Sequence, residues 1–325
     1  MRMIQAAVCH SFGKPIVIEQ VALRPPEGRE VEVAIEAVAI CHSDISYAEG
    51  AWGGSLPAVY GHESAGRVAA VGPGISDLDV GEPVIVTLMR QCGACGSCAS
   101  GHPALCESPR LQESPLRAAD GAPVAQGLVT GAFAERVVVD RSQLVRVPGH
   151  LPATSACLLA CGVLTGVGAV VNSARLRAGE DAVVIGAGGV GLNAIQGARI
   201  AGARRIVAVD VSEAKLQSAA EFGATDLVLA DDAPWKIART ALGRGADAVL
   251  VTVGAASIYD TATRYLGPGG RLIMVGMPHS GVSSAYEPVI LAALGQSMTG
   301  SLMGDCVPSR DVPWMVDLYQ QGRLK

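Results

Sequence analysis

Residues Gly186-Ala187-Gly188-Gly189-Val190-Gly191 stand between an apolar run at 182–186 and a helix-forming stretch at 190–201. A G-x-G-x-x-G turn alone is a weak signal. One that leaves a strand, opens a helix and is followed by an acid at the end of the next strand, Asp210, admits few folds. Gly186 permits the tight turn, Gly188 lets the backbone approach a pyrophosphate, and Gly191 lets helix and strand pack closely. The N–H groups around Gly189 and Val190, with the helix dipole, then bind phosphates. Asp210 can accept hydrogen bonds from ribose hydroxyls, and its charge turns away a 2′-phosphate. Val211 and Ser212 follow it, with no arginine, so NAD is favoured over NADP. Lys215 is near enough to reach the ribose. The plainer alternatives are a helix cap for Asp210 and an exposed helix position for Lys215.

The rest of the second half supports this. Strands are expected at 205–210, 226–229, 246–252 and 271–275, with helices at 212–222, 234–242 and 256–266 between them. Such alternation implies parallel βαβ units. The first 150 residues have a different pattern. Short apolar or alternating runs at 16–21, 30–39, 66–71, 83–88 and 135–139 are separated by Gly, Pro and Asp, which predicts a β-rich domain with long loops. Residues 151–169 read as a helix-forming linker and 310–322 as one amphipathic helix. The fold class is therefore α/β, a β-rich domain joined to a doubly wound parallel sheet. With 325 residues there is material for two cores. A net charge of −5 suggests no nucleic-acid partner. The N-terminal residues lack signal-peptide architecture and no apolar run reaches transmembrane length, so a cytoplasmic protein without a membrane partner is expected.

Nine cysteines in such a chain point to metal work. Cys92, Cys95, Cys98 and Cys106 follow the pattern C-x2-C-x2-C-x7-C, with small residues between them. Four thiolates at that spacing can close on one tetrahedral zinc with no open position. A disulfide cluster is the alternative, but neighbouring C-x2-C pairs make strained bridges. Cys9, Cys157 and Cys306 are left over as small buried hydrophobes. Cys41, His62 and Cys161 are candidates for a second set, although each taken singly reads more readily as a buried core residue. Two thiolates and an imidazole would leave zinc a fourth position for water or alcohol. Spacing alone does not assemble this trio.

Resemblance does. Cys41-His42-Ser43-Asp44, the GHESAGRV run at 61–68, the four-cysteine lobe at about 90–108, CGVLTG at 161–166 and GAGGVG with Asp210 together resemble the zinc-containing medium-chain dehydrogenase/reductase family, close to the alcohol dehydrogenases. The match spans nearly the whole chain. It implies a GroES-like catalytic domain over 1–155, a Rossmann NAD-binding domain over 156–300, and a return toward the catalytic domain over 301–325 that family members carry further. It implies zinc held by Cys41, His62 and Cys161 in a cleft between the domains, and a second, structural zinc in the lobe. Assembly through the Rossmann domains into a homodimer or homotetramer is also implied. Glu63 becomes an acid that binds zinc transiently, Asp44 the carboxylate that orients the ligand histidine, and Ser43 the acceptor of the alcohol proton. His42 approaches the pyrophosphate and Thr165 packs on the nicotinamide. Trp52 and Leu88 fall at substrate-pocket positions, a plain loop anchor being the alternative for Trp52. Many relatives end the proton relay on a histidine where this chain has Ser46. The implied reaction is hydride transfer between a primary or secondary alcohol and NAD, giving an aldehyde or ketone. The alternatives are oxidation of a thiol adduct of formaldehyde or of a polyol, and, in another class, a non-catalytic sensor of zinc and NAD.

Overall fold

The structure, a computed structural model, describes residues 1–108 and 113–325. The chain divides into two units: Met1–Cys161 with Val307–Val316, and Gly162–Cys306 with Asp317–Lys325. In the first, β1 (Arg2–Cys9), β2 (Val17–Leu23) and β3 (Glu30–Ala39) precede helix α1 (His42–Glu49). Strands β4 (Ala58–Val59), β5 (Glu63–Val71) and β6 (Pro83–Val86) follow, then the short helix α2 (Gly96–Ala99). Next come β7 (Leu116–Arg117), β8 (Pro123–Gln126), β9 (Arg136–Asp140), β10 (Leu144–Arg146) and helix α3 (Ala153–Ala156).

Among the described residues β1, β2, β7, β8 and β4 close into a barrel, and β10-β6-β5-β3-β9 form a second sheet. Strand periodicity accounts for both cores. Ile4, Ala6 and Val8 of β1 point inward with Val21, Leu23, Val59, Leu116 and Val124. Val31 and Val33 of β3 join Val84, Val86, Val137 and Val139. Strands β1, β4, β7, β8 and β10 and helices α1 and α2 were not expected from the sequence. Strand β1 lies ahead of the first expected strand, although alternation at Ile4, Ala6 and Val8 is its signal. Helix α1 is the longest of the unexpected helices; Cys41 caps its start and Gly50, with φ +85°, ends it.

The second unit opens with α4 (Gly162–Gly168), then β11 (Asp181–Ile185), α5 (Gly189–Ile200), β12 (Arg205–Asp210), α6 (Glu213–Phe222) and β13 (Asp226–Leu229). The series continues through α7 (Pro234–Leu242), β14 (Ala246–Val251), α8 (Ala256–Ala262), β15 (Leu266–Met274), α9 (Pro288–Ala293) and β16 (Ser297–Gly300). Helix α10 (Pro308–Gln320) is last in the chain, its residues to Val316 grouped with the first unit and those from Asp317 with the second. The strands pair in parallel in the order β13-β12-β11-β14-β15-β16. Counted from β11 this is 3-2-1-4-5-6, the doubly wound nucleotide-binding order. Side chains along β11 alternate between two cores: Ala182 and Val184 in one, Val183 and Ile185 in the other. A strand buried on both faces is apolar throughout, as parallel sheets require.

The helix expected over 151–169 is broken. A 3₁₀ turn over Cys157–Ala160 follows α3, and Cys161 leaves helical geometry at φ −147° and ψ −67°. Helix α4 then passes into a π turn over Ala169–Ser173. Among the described residues no single helix is long and apolar enough to cross a membrane.

Candidate metal centres and glycine-rich loop

Cys41, His62, Glu63 and Cys161 converge in the first unit. One ligand atom from each lies within 4.8 Å of the others. Cys41 comes from the head of α1, and Glu63 opens β5, directly after His62. Cys161 comes from the break that interrupts the expected linker helix, so that irregularity is what delivers its sulfur. His62, Glu63 and Cys161 are buried and Cys41 is half-buried.

Asp44 organises the set. Its Oδ1 pairs with His62 Nδ1 at 2.9 Å and accepts the Gly61 N–H at 2.9 Å. Its Oδ2 accepts the Cys41 N–H at 3.0 Å. One buried carboxylate therefore ties two ligand segments together and directs Nε2 of His62 toward the sulfurs. That Nε2 is buried and has no hydrogen-bond partner among the described residues. Such an orphan is costly unless something binds it. The Cys41 thiol is held well below its usual pKa, first by the Cys161 thiol beside it, against burial, and then by His62. Burial works against a charged His62, but the Asp44 carboxylate and Cys41 outweigh it and raise its pKa. Two sulfurs, an imidazole and a buried carboxylate suit zinc by donor type.

The four-cysteine lobe is a second cluster. Cys92 and Cys98 sulfurs are 4.0 Å apart, close to the roughly 3.8 Å edge of a tetrahedron with zinc–sulfur bonds of about 2.3 Å. All nine cysteines are free thiols, so the disulfide alternative finds no support. Backbone N–H groups of Ala94 and Cys95 point at Cys92 Sγ, at 3.4 and 3.3 Å. They hold that thiol down at about 6. The N–H groups of Cys98 and Glu107 do the same for Cys95 and lower its pKa. Cys98 is instead pushed up to about 12, by desolvation first and then by the neighbouring thiols. Without a cation a Cys98 thiolate is disfavoured beside the other sulfurs, and a divalent ion removes that conflict. The remaining cysteines, Cys9, Cys157 and Cys306, are buried.

In the second unit the loop after β11 is built for close backbone contact. Gly186 has φ +97°, and a Cβ there would meet Val253 Cγ1 at 2.5 Å. A Cβ on Gly191 would lie 1.8 Å from Gly186 O. Gly188 and Gly189 face open space, the cradle that a pyrophosphate would fill. Val190 follows in the first turn of α5. Asp210 is buried at the end of β12. Its Oδ2 accepts the Ala187 N–H at 2.7 Å and its Oδ1 the Ser212 N–H at 3.0 Å. It thus braces the glycine loop and turns the chain into α6, a dual role that capping alone does not describe. Lys215 is exposed on α6. Thr165 is buried on α4.

His42 is exposed and Ser43 half-buried on the first turn of α1, and Ser46 is buried. Trp52 is half-buried, edge-on to Tyr47 at 5.0 Å. Leu88 is half-buried just beyond β6.

Residues 27–149 match the family model of the alcohol dehydrogenase GroES-like domain, and residues 189–321 that of the zinc-binding dehydrogenase. The chain is 33% identical to an NDMA-dependent alcohol dehydrogenase of Amycolatopsis methanolica, over 99% of this chain and 90% of the relative. It is similar at a TM-score of 0.94 to an alcohol dehydrogenase zinc-binding domain protein of Burkholderia ambifaria, with 35% identity, 99% of this chain and 90% of that one covered. A TM-score of 0.93 relates it to benzyl alcohol dehydrogenase of Acinetobacter calcoaceticus, at 30% identity, covering 100% and 91% of the two chains.

Proposed function

We propose that this chain, which belongs to the zinc-containing medium-chain dehydrogenase/reductase family and is a zinc-dependent alcohol oxidoreductase, oxidises primary or secondary alcohols with NAD⁺ at the Cys41–His62–Cys161 cluster. The observation that carries this is the buried, partnerless Nε2 of His62, aimed by Asp44 at two thiols. When bound there, zinc makes an alcohol oxygen more acidic, and NAD⁺ takes the hydride.

The chain's own residues do the rest. Cys41, His62 and Cys161 hold the metal, and Glu63 supplies a fourth, exchangeable donor. Ser43, two residues past Cys41, accepts the alcohol proton. Ser46 takes the place of a relay histidine, and water completes the path from it. Trp52 and Leu88 border the substrate. The loop Gly186–Gly191 cradles the pyrophosphate with help from His42, Thr165 supports the nicotinamide, and Asp210 and Lys215 meet the adenosine ribose. Residues 1–155 act as the catalytic domain and 156–300 as the NAD domain; of the return expected over 301–325, Val307–Val316 group with the first unit and the rest with the second. The lobe of Cys92, Cys95, Cys98 and Cys106 holds a second zinc that never meets substrate. Nine free thiols suit a reducing cytoplasm, where the enzyme works as a homodimer or homotetramer.

The test is an NADH-formation screen over primary, secondary, benzylic and polyol alcohols, run with NAD⁺ and with NADP⁺. Turnover of a simple alcohol with NAD⁺ preferred is the expected result. A chain that binds zinc and NADH but turns over no alcohol would instead be the non-catalytic sensor. Asp210→Ser combined with Val211→Arg should shift preference toward NADP⁺. A wild type that uses NADP⁺ as well as NAD⁺ would overturn the role of Asp210.

A further inference from the structure

Residues 301–306 form a hook in the second unit that the proposed chemistry does not yet use. Met303, Gly304 and Asp305 have φ of 52°, 66° and 48°, three successive residues in the left-handed region. Two of them carry side chains, and such conformations persist only where the surroundings over-determine them. Here the surroundings are α4 and the π turn that follows it. Ser173 Oγ donates to Asp305 Oδ2 at 2.6 Å and pairs with Ser301 Oγ at 2.7 Å. Asn172 Nδ2 donates to Gly304 O at 3.2 Å, and the Cys306 thiol donates to Leu164 O at 3.3 Å. A Cβ on Gly304 would lie 2.7 Å from Leu164 O, so the backbones touch where no side chain fits.

The hook ends on Thr165. The Thr165 hydroxyl donates to Met303 Sδ at 3.7 Å, and both side chains are buried. A helical threonine divides between two χ1 wells. The sulfur favours the well that turns Oγ1 toward the hook. We propose that Met303 is a positioning residue for the cofactor. Held in a strained conformation by the hook, it fixes the Thr165 rotamer and with it the surface on which the nicotinamide ring rests. The inference rests on the reading of Thr165 as a nicotinamide contact.

The test measures NADH binding by nicotinamide fluorescence for wild type, Met303→Leu, Thr165→Val and the double variant, with zinc in place. Met303→Leu keeps volume and removes the acceptor, so the unliganded melting temperature should fall by no more than the few degrees one hydrogen bond is worth. NADH should bind roughly three- to tenfold more weakly, the size of one net hydrogen bond. The KM for NAD⁺ should rise while the KM for alcohol stays. Thr165→Val should lose a similar factor, and the double variant should be no worse than Thr165→Val alone. Unchanged NADH affinity in Met303→Leu, or effects that simply multiply in the double variant, would overturn the role of Met303 and leave the cofactor reading standing. A zinc-loaded wild type that binds no NADH would overturn both.

Discussion

The lobe and the buried cluster each gather four ligand atoms, yet they are built in opposite ways. The lobe takes its sulfurs from 92–106, lies at the surface, and has backbone N–H groups aimed at the Cys92 and Cys95 sulfurs. The buried cluster draws on residues from 41 to 161 and is aimed by one side chain, Asp44. A site made by local backbone needs little from the rest of the fold, and four sulfurs leave zinc no vacancy. A site made by tertiary structure can mix donor types and keep one position exchangeable. On the proposed reading, that difference separates a cation that holds a loop from one that meets a substrate.

The sharpest way to break the comparison is to remove one ligand from each cluster. Cys41→Ala should abolish alcohol turnover and remove one equivalent of zinc while the fold persists. Circular dichroism and elemental analysis check this, and a turning-over Cys41→Ala enzyme would contradict it. Next in size is Ser43→Ala. On its proposed role as acceptor of the alcohol proton, losing the Ser43 hydroxyl should cost roughly 10²–10⁴-fold in turnover. NAD⁺ affinity should barely change, and pH–rate profiles show whether the proton leaves by another route. Ser46→His should act in the opposite direction, raising oxidation near neutral pH, where histidine accepts protons.

Asp44→Asn sharpens the comparison from the positioning side. It leaves all ligands present but replaces one acceptor oxygen by an N–H donor. Zinc affinity at the buried cluster should fall about 10–100-fold, as for other supporting carboxylates. Competition with a chelator reads that number, and the lobe's own zinc should be unmoved. The smallest effect on activity belongs to Cys98→Ser. It should remove the lobe's zinc and lower the melting temperature, while folded enzyme retains most of its turnover per buried-site zinc.

The sequence exposed these two regions unequally. The lobe is legible because its ligands and scaffold lie in one short segment. The glycine loop is legible because strand, turn, helix and Asp210 occur in chain order. Among the strands, 30–39, 205–210 and 226–229 were expected with the ends the structure has. The buried trio was reached by resemblance, since spacing cannot show that residues 41, 62 and 161 meet. The break at Cys161 was missed because alanine and leucine around it favour a continuous helix, and tertiary placement of one thiol overrides that preference. Helix α1 was missed because Cys41 is a rare cap, though Asp44 three residues on and Gly50 are usable signals. The hook at 301–306 has almost no local signal apart from Gly304, because what sustains Met303 and Asp305 in left-handed geometry is 130 or so residues away, on α4 and its π turn.

The most direct test is the rate of NADH formation from a simple alcohol, followed as zinc is withdrawn from the chain by a chelator and counted. The two-site account predicts that turnover is proportional to occupancy of one zinc and indifferent to the other, and returns when that one equivalent is restored. Turnover that survives removal of both zinc ions, or that is absent from a chain carrying two, would contradict it.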